Sequence, residues 1–249
     1  MAMQIDFTLP NKVAVITGGA AGIGLSIAKM FIQKGAKVAL LDRSDKVEQV
    51  AQQLNSAVGI QCDVTNEESV HRAVYSVIEE FGHIDILVNC AGIVALAPAG
   101  SLSVADWNKT LSVNLTGTFL LCQEVGQYML QQGQGKIINL ASQAGVIALP
   151  EHIAYCATKA GIIGMTKVLA LEWAPKGLQI NAISPTIVMT DLGKQAWEGE
   201  KGEKMKAQIP AQRFAEPEEI AAAAVFLASN ASDMINGHNL VIDGGYSIQ

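Results

Sequence analysis

The sequence predicts an α/β fold built on a parallel, doubly wound sheet with helices on both faces. Three observations lead to this prediction: a length of 249 residues, a composition that is 50% hydrophobic and 16% charged, and a regular alternation of short β-branched runs with longer helical patterns. The length suits one large domain, and the apolar content suits a sheet covered on both faces. We therefore expect a single domain over residues 1–249 with a seven-stranded sheet.

Seven short apolar runs have the length and residue types of buried strands. They span residues 13–17, 37–41, 58–62, 84–89, 136–140, 179–184 and 239–242. Helical patterns lie near residues 23–34, 45–54, 67–81, 104–131, 153–174 and 217–228. The exception to the alternation is the mixed, charged stretch at about residues 190–210, which we interpret as a substrate lid.

Charge and cysteine content narrow the classes of function. The formal net charge is −6 and the basic residues are scattered, so we expect no nucleic acid partner. The first seven residues lack the regions of a signal peptide and no apolar run reaches the length of a membrane span, so we expect a cytoplasmic protein without a membrane partner. The cysteines form no CxxC pair and the histidines no HExxH motif, which predicts reduced core thiols and no metal.

The clearest functional motif is a glycine-rich turn directly after the first strand. Gly18, Gly22 and Gly24 lie within TGGAAGIG, and Ile23 stands at the start of the following helical pattern. Such a turn lets the backbone approach a pyrophosphate, which then faces the N–H groups of the helix N-terminus. A tight turn without a ligand is the alternative, but the position at the first β–α junction favours a dinucleotide site and a Rossmann fold.

The end of the second strand indicates which dinucleotide is bound. Asp42 lies 18 positions past Gly24, close to the spacing at which an acid reaches the adenosine ribose. A carboxylate there accepts from both ribose hydroxyls and repels a 2′-phosphate, so the predicted cofactor is NAD rather than NADP. The neighbouring Arg43 either covers the adenine or softens that preference. Alternatively, Asp42 is a helix-capping residue ahead of Ser44.

From about Lys12 to the C-terminus, these motifs resemble the short-chain dehydrogenase/reductase family. TGGAAGIG is similar to that family's TGxxxGxG, and residues 89–92, NCAG, are similar to its NNAG turn, with cysteine at the second position. The resemblance implies that Asp63 bonds the adenine amino group and that Val64 packs nearby. It also implies that Asn89, Ala91 and Gly92 form a wall near the adenine and ribose.

A second part of the resemblance lies after the sixth strand. Residues 185–190, PTIVMT, are similar to the family's PGxxxT stretch, which begins here with Pro185. The resemblance implies that the Val188 backbone and the Thr190 hydroxyl hold the nicotinamide carboxamide. Thr186 replaces the family's glycine and adds a hydroxyl near the substrate.

Tyr155 and Lys159 carry the sharpest chemical signal. They are spaced i, i+4 and so project from one helical face. We expect this ammonium and an oxidised nicotinamide to lower the pKa of Tyr155 toward the range of a general acid/base. The pair resembles the family's YxxxK, which implies that Tyr155 exchanges the substrate proton while Lys159 also bonds the nicotinamide ribose. Taken alone, the two residues also fit an amphipathic surface pair.

Two further residues complete the predicted catalytic set. Ser142 follows the fifth strand, 13 positions before Tyr155, so both side chains reach one crevice, where the serine hydroxyl orients the carbonyl oxygen. Asn114 matches the family's helix-four asparagine, which implies that it holds a water for proton relay to Lys159. The alternatives are a turn cap for Ser142 and a buried amide for Asn114. All four residues in order, behind a dinucleotide turn, favour the catalytic interpretation.

The candidate substrate residues combine hydroxyls, an amide and an imidazole, which suits a polyhydroxylated chain. The segment 184–193 with the tryptophan after it resembles sugar alcohol dehydrogenases of the family, which implies a threitol-like polyol and its ketose as the alcohol/ketone substrate. For His152, simple exposure to water is an equal alternative. The candidates are Ser142, Gln143, His152, Tyr155, Thr186 and Trp197.

Two other functions stay open. A 3-oxoacyl thioester reductase would require NADPH and a basic surface for an acidic carrier, and both Asp42 and the acidic balance of the chain argue against it. A non-catalytic NAD-binding regulator would be expected to lose Ser142, Tyr155 or Lys159, and all three are present.

The long helix predicted from residue 153 is small or apolar nearly all round. One sheet face cannot bury all of that surface. We therefore expect a subunit interface shared with the predicted helix at 104–131, in a homotetramer as the resemblance implies.

Overall fold

The computed structural model describes residues 5–248 and contains one sheet of seven parallel strands. The strands are β1 (Val13–Thr17), β2 (Lys37–Asp42), β3 (Ala57–Gln61), β4 (Ile86–Asn89), β5 (Gly135–Leu140), β6 (Leu178–Pro185) and β7 (Asn239–Ile242). Their spatial order is β3-β2-β1-β4-β5-β6-β7. The predicted doubly wound sheet is confirmed, and its strand bounds differ from the predicted ones by two residues at most. The order reverses at β1 and β4, which opens a crevice at their carboxyl ends.

Nine α-helices surround this sheet within residues 5–248, and α1 packs against α9 while α3 packs against α5. They are α1 (Gly22–Gln33), α2 (Val47–Gln52), α3 (Glu67–Phe81), α4 (Val104–Leu111), α5 (Gly117–Gln132), α6 (Ile153–Trp173), α7 (Asp191–Ala196), α8 (Glu200–Lys206) and α9 (Pro217–Ala228).

The two faces of the sheet bury separate apolar cores. In β1, Ala14 and Ile16 belong to the core that contains α1 and α9, whereas Val13 and Val15 belong to the core that contains α3 and α5. This alternation follows from the period of two in a strand. A strand buried on both faces has to be apolar throughout, which is why β1 reads as a continuous hydrophobic run.

The helical stretch predicted over residues 104–131 is present, but a π-helical turn divides it into two α-helices. After α4 the chain makes a π-helical turn, Ser112–Thr116, before α5 begins. The buried Asn114 lies in this turn, and its main-chain oxygen accepts a hydrogen bond of 2.7 Å from the Thr118 hydroxyl. Single π turns inside helices are frequent at functional sites, because the extra residue re-aims one side chain.

The region predicted as a lid contains α7 and α8, which are short and largely exposed. The Trp197 ring lies between them and packs against Phe214 with the ring centroids 5.8 Å apart. Arg213, beside that phenylalanine, forms a two-pronged ion pair with Glu219 of α9, with both N–O distances 2.7 Å.

Helix α6 covers one side of β6 but leaves much apolar surface uncovered. The stretch Ile153–Lys176 is long and apolar enough to cross a membrane by length and composition alone, with a mean hydropathy of 1.2. Core helices of water-soluble proteins meet the same criterion. Several of its apolar side chains are exposed, and Leu171 is the extreme case at 79%.

Candidate active site

The glycine turn packs directly against the loop that follows β4. The main chain at Gly18 and Gly22 is left-handed, with φ of 64° and 55°, a conformation that favours glycine. A Cβ at Gly18 would lie 3.0 Å from the backbone of Ala91, and one at Gly24 would lie 2.3 Å from the carbonyl oxygen of Gly18. Only glycine therefore fits these positions without moving the backbone.

The end of β1 fixes the neighbouring loop through one side chain, Thr17. Its hydroxyl oxygen accepts hydrogen bonds from the N–H groups of Cys90 and Ala91, at 3.0 and 3.1 Å. At the other side of the turn, α1 begins after Ala21, whose side chain provides no cap. The first N–H groups of α1 are thus left for water or an anion.

A cavity of about 240 Å³ lies beside this turn. It brings together seven of the residues predicted to bind the dinucleotide, from the ends of β1 to β4. A bare glycine turn, an acidic residue at the end of β2 and an uncapped helix N-terminus fit the adenosine and pyrophosphate parts of a nicotinamide dinucleotide. The seven are Gly18, Asp42, Arg43, Asp63, Val64, Ala91 and Gly92.

Other residues of this cavity were not predicted from the sequence. Lys109 of α4 and Val113 of the π turn line it, as does Ile93 in the loop after β4. These residues reach the cavity because of the way the chain from the β4 loop through α4 crosses the strand ends. The sequence contains no motif that predicts this crossing.

The carboxylate of Asp42 bonds the backbone at two points. Its Oδ2 accepts from the N–H of Ala20 at 3.1 Å, and its Oδ1 accepts from the N–H of Ser44 at 3.0 Å. The helix-capping alternative is wrong, because α2 begins after Lys46 without a side-chain cap, and the carboxylate lines the cavity. Each carboxylate oxygen has a second lone pair, so Asp42 can still accept from ribose hydroxyls.

Asp63 is held by its own loop. Its Oδ1 accepts from the N–H and the hydroxyl of Thr65, at 2.9 and 2.7 Å. These bonds, the backbone one foremost, lower the pKa of Asp63 below its ordinary value, so it is an acceptor at neutral pH. Val64 packs against α5 at Gly117, where a Cβ would lie 2.7 Å from a Val64 methyl group.

Asn89 lies elsewhere than the resemblance implied. Its side chain is buried in the sheet, where Nδ2 donates to Asn139 Oδ1 at 2.9 Å and approaches Cys122 Sγ at 3.3 Å. It is absent from the residues that line the cavity. The strand direction explains this difference, because the last residue of β4 points into the interior while the following residues leave the sheet.

Ser142 and Tyr155 lie together at the end of β5. Ser142 Oγ accepts from the N–H of Ala144 at 3.1 Å, which leaves its hydroxyl proton free to donate. The hydroxyl forms a hydrogen bond with the Tyr155 phenol, which acts to lower the phenol pKa. The serine is therefore both a turn cap and a donor aimed at the oxygen of Tyr155.

The pKa of Tyr155 is raised above its ordinary value, because burial outweighs the hydrogen bond from Ser142. The expected lowering included an oxidised nicotinamide and stays a prediction for the complex with the cofactor. Lys159 Nζ lies 5.5 Å from the centre of the Tyr155 ring.

Lys159 is buried and donates from Nζ to the carbonyl oxygen of Leu140 at 2.6 Å. Burial lowers the pKa of Lys159 to about 8. The lysine therefore stays mainly charged at neutral pH but loses its proton at a lower pH than an exposed lysine does.

Asn114 is a buried amide that bonds the backbone. Its Oδ1 accepts from the N–H of Ile93 at 2.8 Å, and its Nδ2 donates to the oxygen of Ile93 at 2.9 Å and to Thr158 Oγ1 at 3.2 Å. A Cβ on Gly92 would lie 3.4 Å from Asn114 Oδ1 and 3.8 Å from Lys159 Nζ. The π turn thus brings the asparagine next to the lysine and ties it to the loop after β4.

The segment after β6 reaches back to the glycine turn. Pro185 ends β6, Val188 forms a bridge with Ala215, and a Thr190 methyl group would lie 3.3 Å from a Cβ on Gly22. Thr190 Oγ1 accepts from the N–H of Gly193 at 3.1 Å and so caps α7. The predicted carboxamide-binding segment and the pyrophosphate turn are therefore adjacent.

The predicted substrate residues fall into two groups. Gln143 and Thr186 are buried at the ends of β5 and β6, and the His152 ring meets the edge of the Tyr155 ring with the centroids 6.2 Å apart. Trp197 instead packs inside the lid segment, against Phe214 and beneath Lys201 Nζ at 4.4 Å. The structure brings His152 next to Tyr155, leaves Gln143 and Thr186 buried after the ends of β5 and β6, and gives Trp197 a packing role in the lid segment.

Comparisons with known proteins agree with this geometry. A family model described as Enoyl-(Acyl carrier protein) reductase matches residues 18–247. The D-threitol dehydrogenase of Mycolicibacterium smegmatis is 52% identical over 100% of this chain and 98% of that protein. The NAD-dependent glycerol dehydrogenase of Listeria innocua is 50% identical over 98% of this chain and 97% of that protein.

A solved structure shows the same fold with a nucleotide bound. The gluconate 5-dehydrogenase from Burkholderia cenocepacia J2315, in complex with NADP and tartrate, superposes with a TM-score of 0.94. It is 34% identical, and the match covers 98% of each chain. Sequence similarity, the strand order and the cluster at the ends of β4 and β5 thus agree. The chain belongs to the short-chain dehydrogenase/reductase family, whose members are oxidoreductases that bind a nicotinamide cofactor, and it acts on CH–OH groups.

Proposed function

We propose that this protein is an NAD-dependent dehydrogenase that interconverts a polyol and its ketose. The observation that carries the proposal is the cluster of Ser142, Tyr155 and Lys159 at the carboxyl end of β5, beside the glycine turn. Two relatives at about half identity over the full chain are named for threitol and glycerol, which supports a polyol as substrate.

In the forward direction an alcohol and NAD yield a ketone, NADH and one proton. The bound nicotinamide supplies the hydride acceptor. Tyr155 takes the hydroxyl proton of the substrate, and the Ser142 hydroxyl, which bonds the Tyr155 phenol in the protein alone, donates to the substrate oxygen instead. The buried ammonium of Lys159 stabilises the phenolate of Tyr155 when that form is present. In reduction, the same groups return the proton to the oxygen.

Proton exchange with solvent requires a path from the buried pair. Lys159 is 5% exposed, and its neighbour Asn114 is tied to the Ile93 backbone. We propose that Asn114 holds the water through which Lys159 exchanges its proton, as the family resemblance implies. The lowered pKa of Lys159, at about 8, suits a group that gains and loses a proton during turnover.

The preference for NAD rests on Asp42. Its carboxylate lines the cavity and accepts hydrogen bonds from two backbone N–H groups. Moving it away from a 2′-phosphate would break these bonds, so NADP binding is disfavoured. The glycerol dehydrogenase relative is named NAD-dependent, whereas the gluconate 5-dehydrogenase structure contains NADP. Arg43, which lines the same cavity, is the residue that would favour a 2′-phosphate.

We also propose a cytoplasmic homotetramer. The exposed apolar side chains of α5 and α6, such as Phe119, Val168 and Leu171, would be covered by α5 and α6 of neighbouring subunits.

A second candidate is a 3-oxoacyl thioester reductase. The description of the matching family model, Enoyl-(Acyl carrier protein) reductase, shares with this candidate an acyl-carrier substrate but names the reduction of a C=C bond instead of a ketone. The candidate would reduce a ketone with the same serine, tyrosine and lysine but would prefer NADPH.

The test measures NADH formation at 340 nm over C4 to C6 polyols, glycerol and simple secondary alcohols, with NAD and NADP in parallel. Tyr155→Phe is expected to lower kcat by about a thousandfold or more with little change in NADH affinity, because it removes only the proton acceptor. Tyr75→Phe, which alters an exposed tyrosine of α3, is the matched control. Polyol oxidation with NAD that survives in Tyr75→Phe and disappears in Tyr155→Phe supports the proposal. Inactivity on every polyol, with NADPH-dependent reduction of acetoacetyl thioesters, would establish the second candidate instead.

A further inference from the structure

Two buried oxygen atoms at the ends of β5 and β6 lack any hydrogen-bond partner among the described residues. They are Gln143 Oε1 and Thr186 Oγ1, on side chains that are 3% and 9% exposed. Leaving a polar atom buried and unpaired costs about 1–3 kcal/mol. Two such atoms on neighbouring strand ends therefore need an explanation that neither the fold nor the proton transfer provides.

The two residues follow the ends of adjacent paired strands. The last paired residues of β5 and β6 are Leu140 and Ile183, and the N–H of Ala141 continues the ladder to the Ile183 oxygen at 2.8 Å. Gln143 and Thr186 each follow three positions after these residues. Ser142 is the N-cap of the short turn that begins with Gln143, so the group that donates to the reacting oxygen and the unpaired Gln143 oxygen belong to neighbouring residues.

Their backbones are fixed, so the side chains cannot leave the site freely. The main-chain carbonyl oxygen of Gln143 accepts from the N–H groups of Val146 and Ile147, at 2.8 and 2.9 Å. The N–H of Thr186 donates to Ile242 of β7 at 3.0 Å. The unpaired atoms are therefore held at defined positions before any ligand arrives.

A third unpaired atom, Asn89 Oδ1, has different surroundings. It belongs to the last residue of β4 and lies in the interior network with Asn139 and Cys122. Because Asn89 ends a different strand and bonds this interior network, we do not group its oxygen with those of Gln143 and Thr186.

The two oxygens match the chemistry of one hydroxyl group. The amide oxygen of Gln143 only accepts, whereas the hydroxyl of Thr186 both accepts and donates. A substrate hydroxyl can donate to the first and accept from the second, and this satisfies both atoms at once. A C–H group in the same place would leave both unpaired, and a site built to bond a hydroxyl discriminates strongly against the analogue without it.

We propose that Gln143 and Thr186 bind the hydroxyl on the carbon next to the reacting one, so that the enzyme takes vicinal diols and the corresponding α-hydroxy ketones in preference to isolated secondary alcohols. This inference rests on the proposed polyol dehydrogenase function and adds the residues that select the substrate class. It makes Gln143 and Thr186 specificity residues rather than members of the proton-transfer set.

The experiment compares butane-2,3-diol, as separate stereoisomers, with butan-2-ol, which has the same carbon frame and one hydroxyl fewer. kcat/KM with NAD is measured for the wild type and for Gln143→Met and Thr186→Val, which keep size and remove the polar atoms. We expect the wild type to prefer the diol by about a hundredfold or more, and each variant to lose about tenfold or more of that preference. The loss should fall on the diol alone, and Thr186→Ser should restore the preference.

Each other outcome has a distinct meaning. If the wild type oxidises diols but the ratio of diol to butan-2-ol is unchanged in both variants, the inference is wrong and the proposed function stands. An equal loss on both alcohols would assign the two residues a structural role and also overturn the inference. A wild type that oxidises no diol and no polyol overturns the proposed function, and the inference with it.

Discussion

The crevice has a dinucleotide half, at the ends of β1 to β4, and a substrate half, after the ends of β5 and β6. In the dinucleotide half the polar side chains bond the protein's own backbone. In the substrate half two buried oxygens have no hydrogen-bond partner among the described residues. Asp42 bonds Ala20 and Ser44, Asp63 bonds Thr65, and the glycine turn touches the loop after β4. Gln143 and Thr186, by contrast, are buried and unpaired.

The two halves differ in what orients their polar side chains. The dinucleotide half is preorganised, because its side chains are oriented by bonds that exist before any ligand binds. The substrate half is completed by its ligand, so its selectivity depends on groups that only the correct substrate satisfies. Changes in the first half should therefore alter cofactor binding or cofactor choice, and changes in the second should alter the ratio between substrates.

The largest effect is expected for Gly24→Ala, which tests the rigidity of the dinucleotide half. The added Cβ would lie 2.3 Å from the Gly18 oxygen, so the turn has to move as a whole. We expect NADH affinity, measured by fluorescence titration, to fall by about a hundredfold or more, with a lower Tm. Gly100→Ala, at an exposed glycine with nothing within 4 Å, is the control. Wild-type affinity in Gly24→Ala would show that this half is pliable after all.

A smaller effect is expected for Asp42→Asn, which changes the charge but keeps an oxygen to accept the backbone bonds. Because the repulsion of a 2′-phosphate is removed while Arg43 remains, the ratio of kcat/KM for NAD over NADP should fall by about tenfold. Asp45→Asn, in the same exposed loop, controls for the loss of one surface charge. An unchanged ratio would remove Asp42 as the determinant of cofactor choice.

The last prediction concerns the pH dependence of stability rather than binding, and uses Lys159→Met. Burial lowers the pKa of Lys159 to about 8 from 10.5, so the folded protein binds its proton less tightly than the unfolded chain. The resulting cost, roughly 3 kcal/mol at most, is fully present below pH 8 and disappears as the pH rises toward 10.5. Wild-type stability should therefore rise relative to Lys159→Met across that interval, as measured by urea unfolding. The exposed Lys176→Met should instead follow the wild type, and parallel curves for Lys159→Met would contradict the lowered pKa.

The sequence was most informative where function depends on local spacing. The glycine turn and the Tyr155–Lys159 pair are motifs of eight residues or fewer, and both predicted their secondary structure and their neighbours correctly. The seven strands followed from buried apolar runs, since a doubly covered sheet leaves no other pattern.

Features that depend on tertiary packing could not be predicted. The π turn at Asn114 arises because that amide bonds the Ile93 backbone, and Asn89 turns inward because Asn139 lies on the adjacent strand. The raised pKa of Tyr155 follows from burial, which a helical spacing does not reveal. The unpaired oxygens of Gln143 and Thr186 follow from how the chain packs after the ends of β5 and β6, which sequence alone does not give.

The strand order has a consequence for how the chain acquires its site during folding. β1 pairs with β4, and the hydroxyl of Thr17 bonds Cys90, which is 73 positions away. Such distant contacts form slowly, because the loop between them must close before they stabilise anything. The residues that line the dinucleotide cavity all lie between positions 18 and 113, whereas the proposed catalytic residues extend to position 159. A chain emerging from the ribosome therefore contains all the residues of this cavity before its proton-transfer residues, and the predicted carboxamide-binding segment at 185–190 follows last.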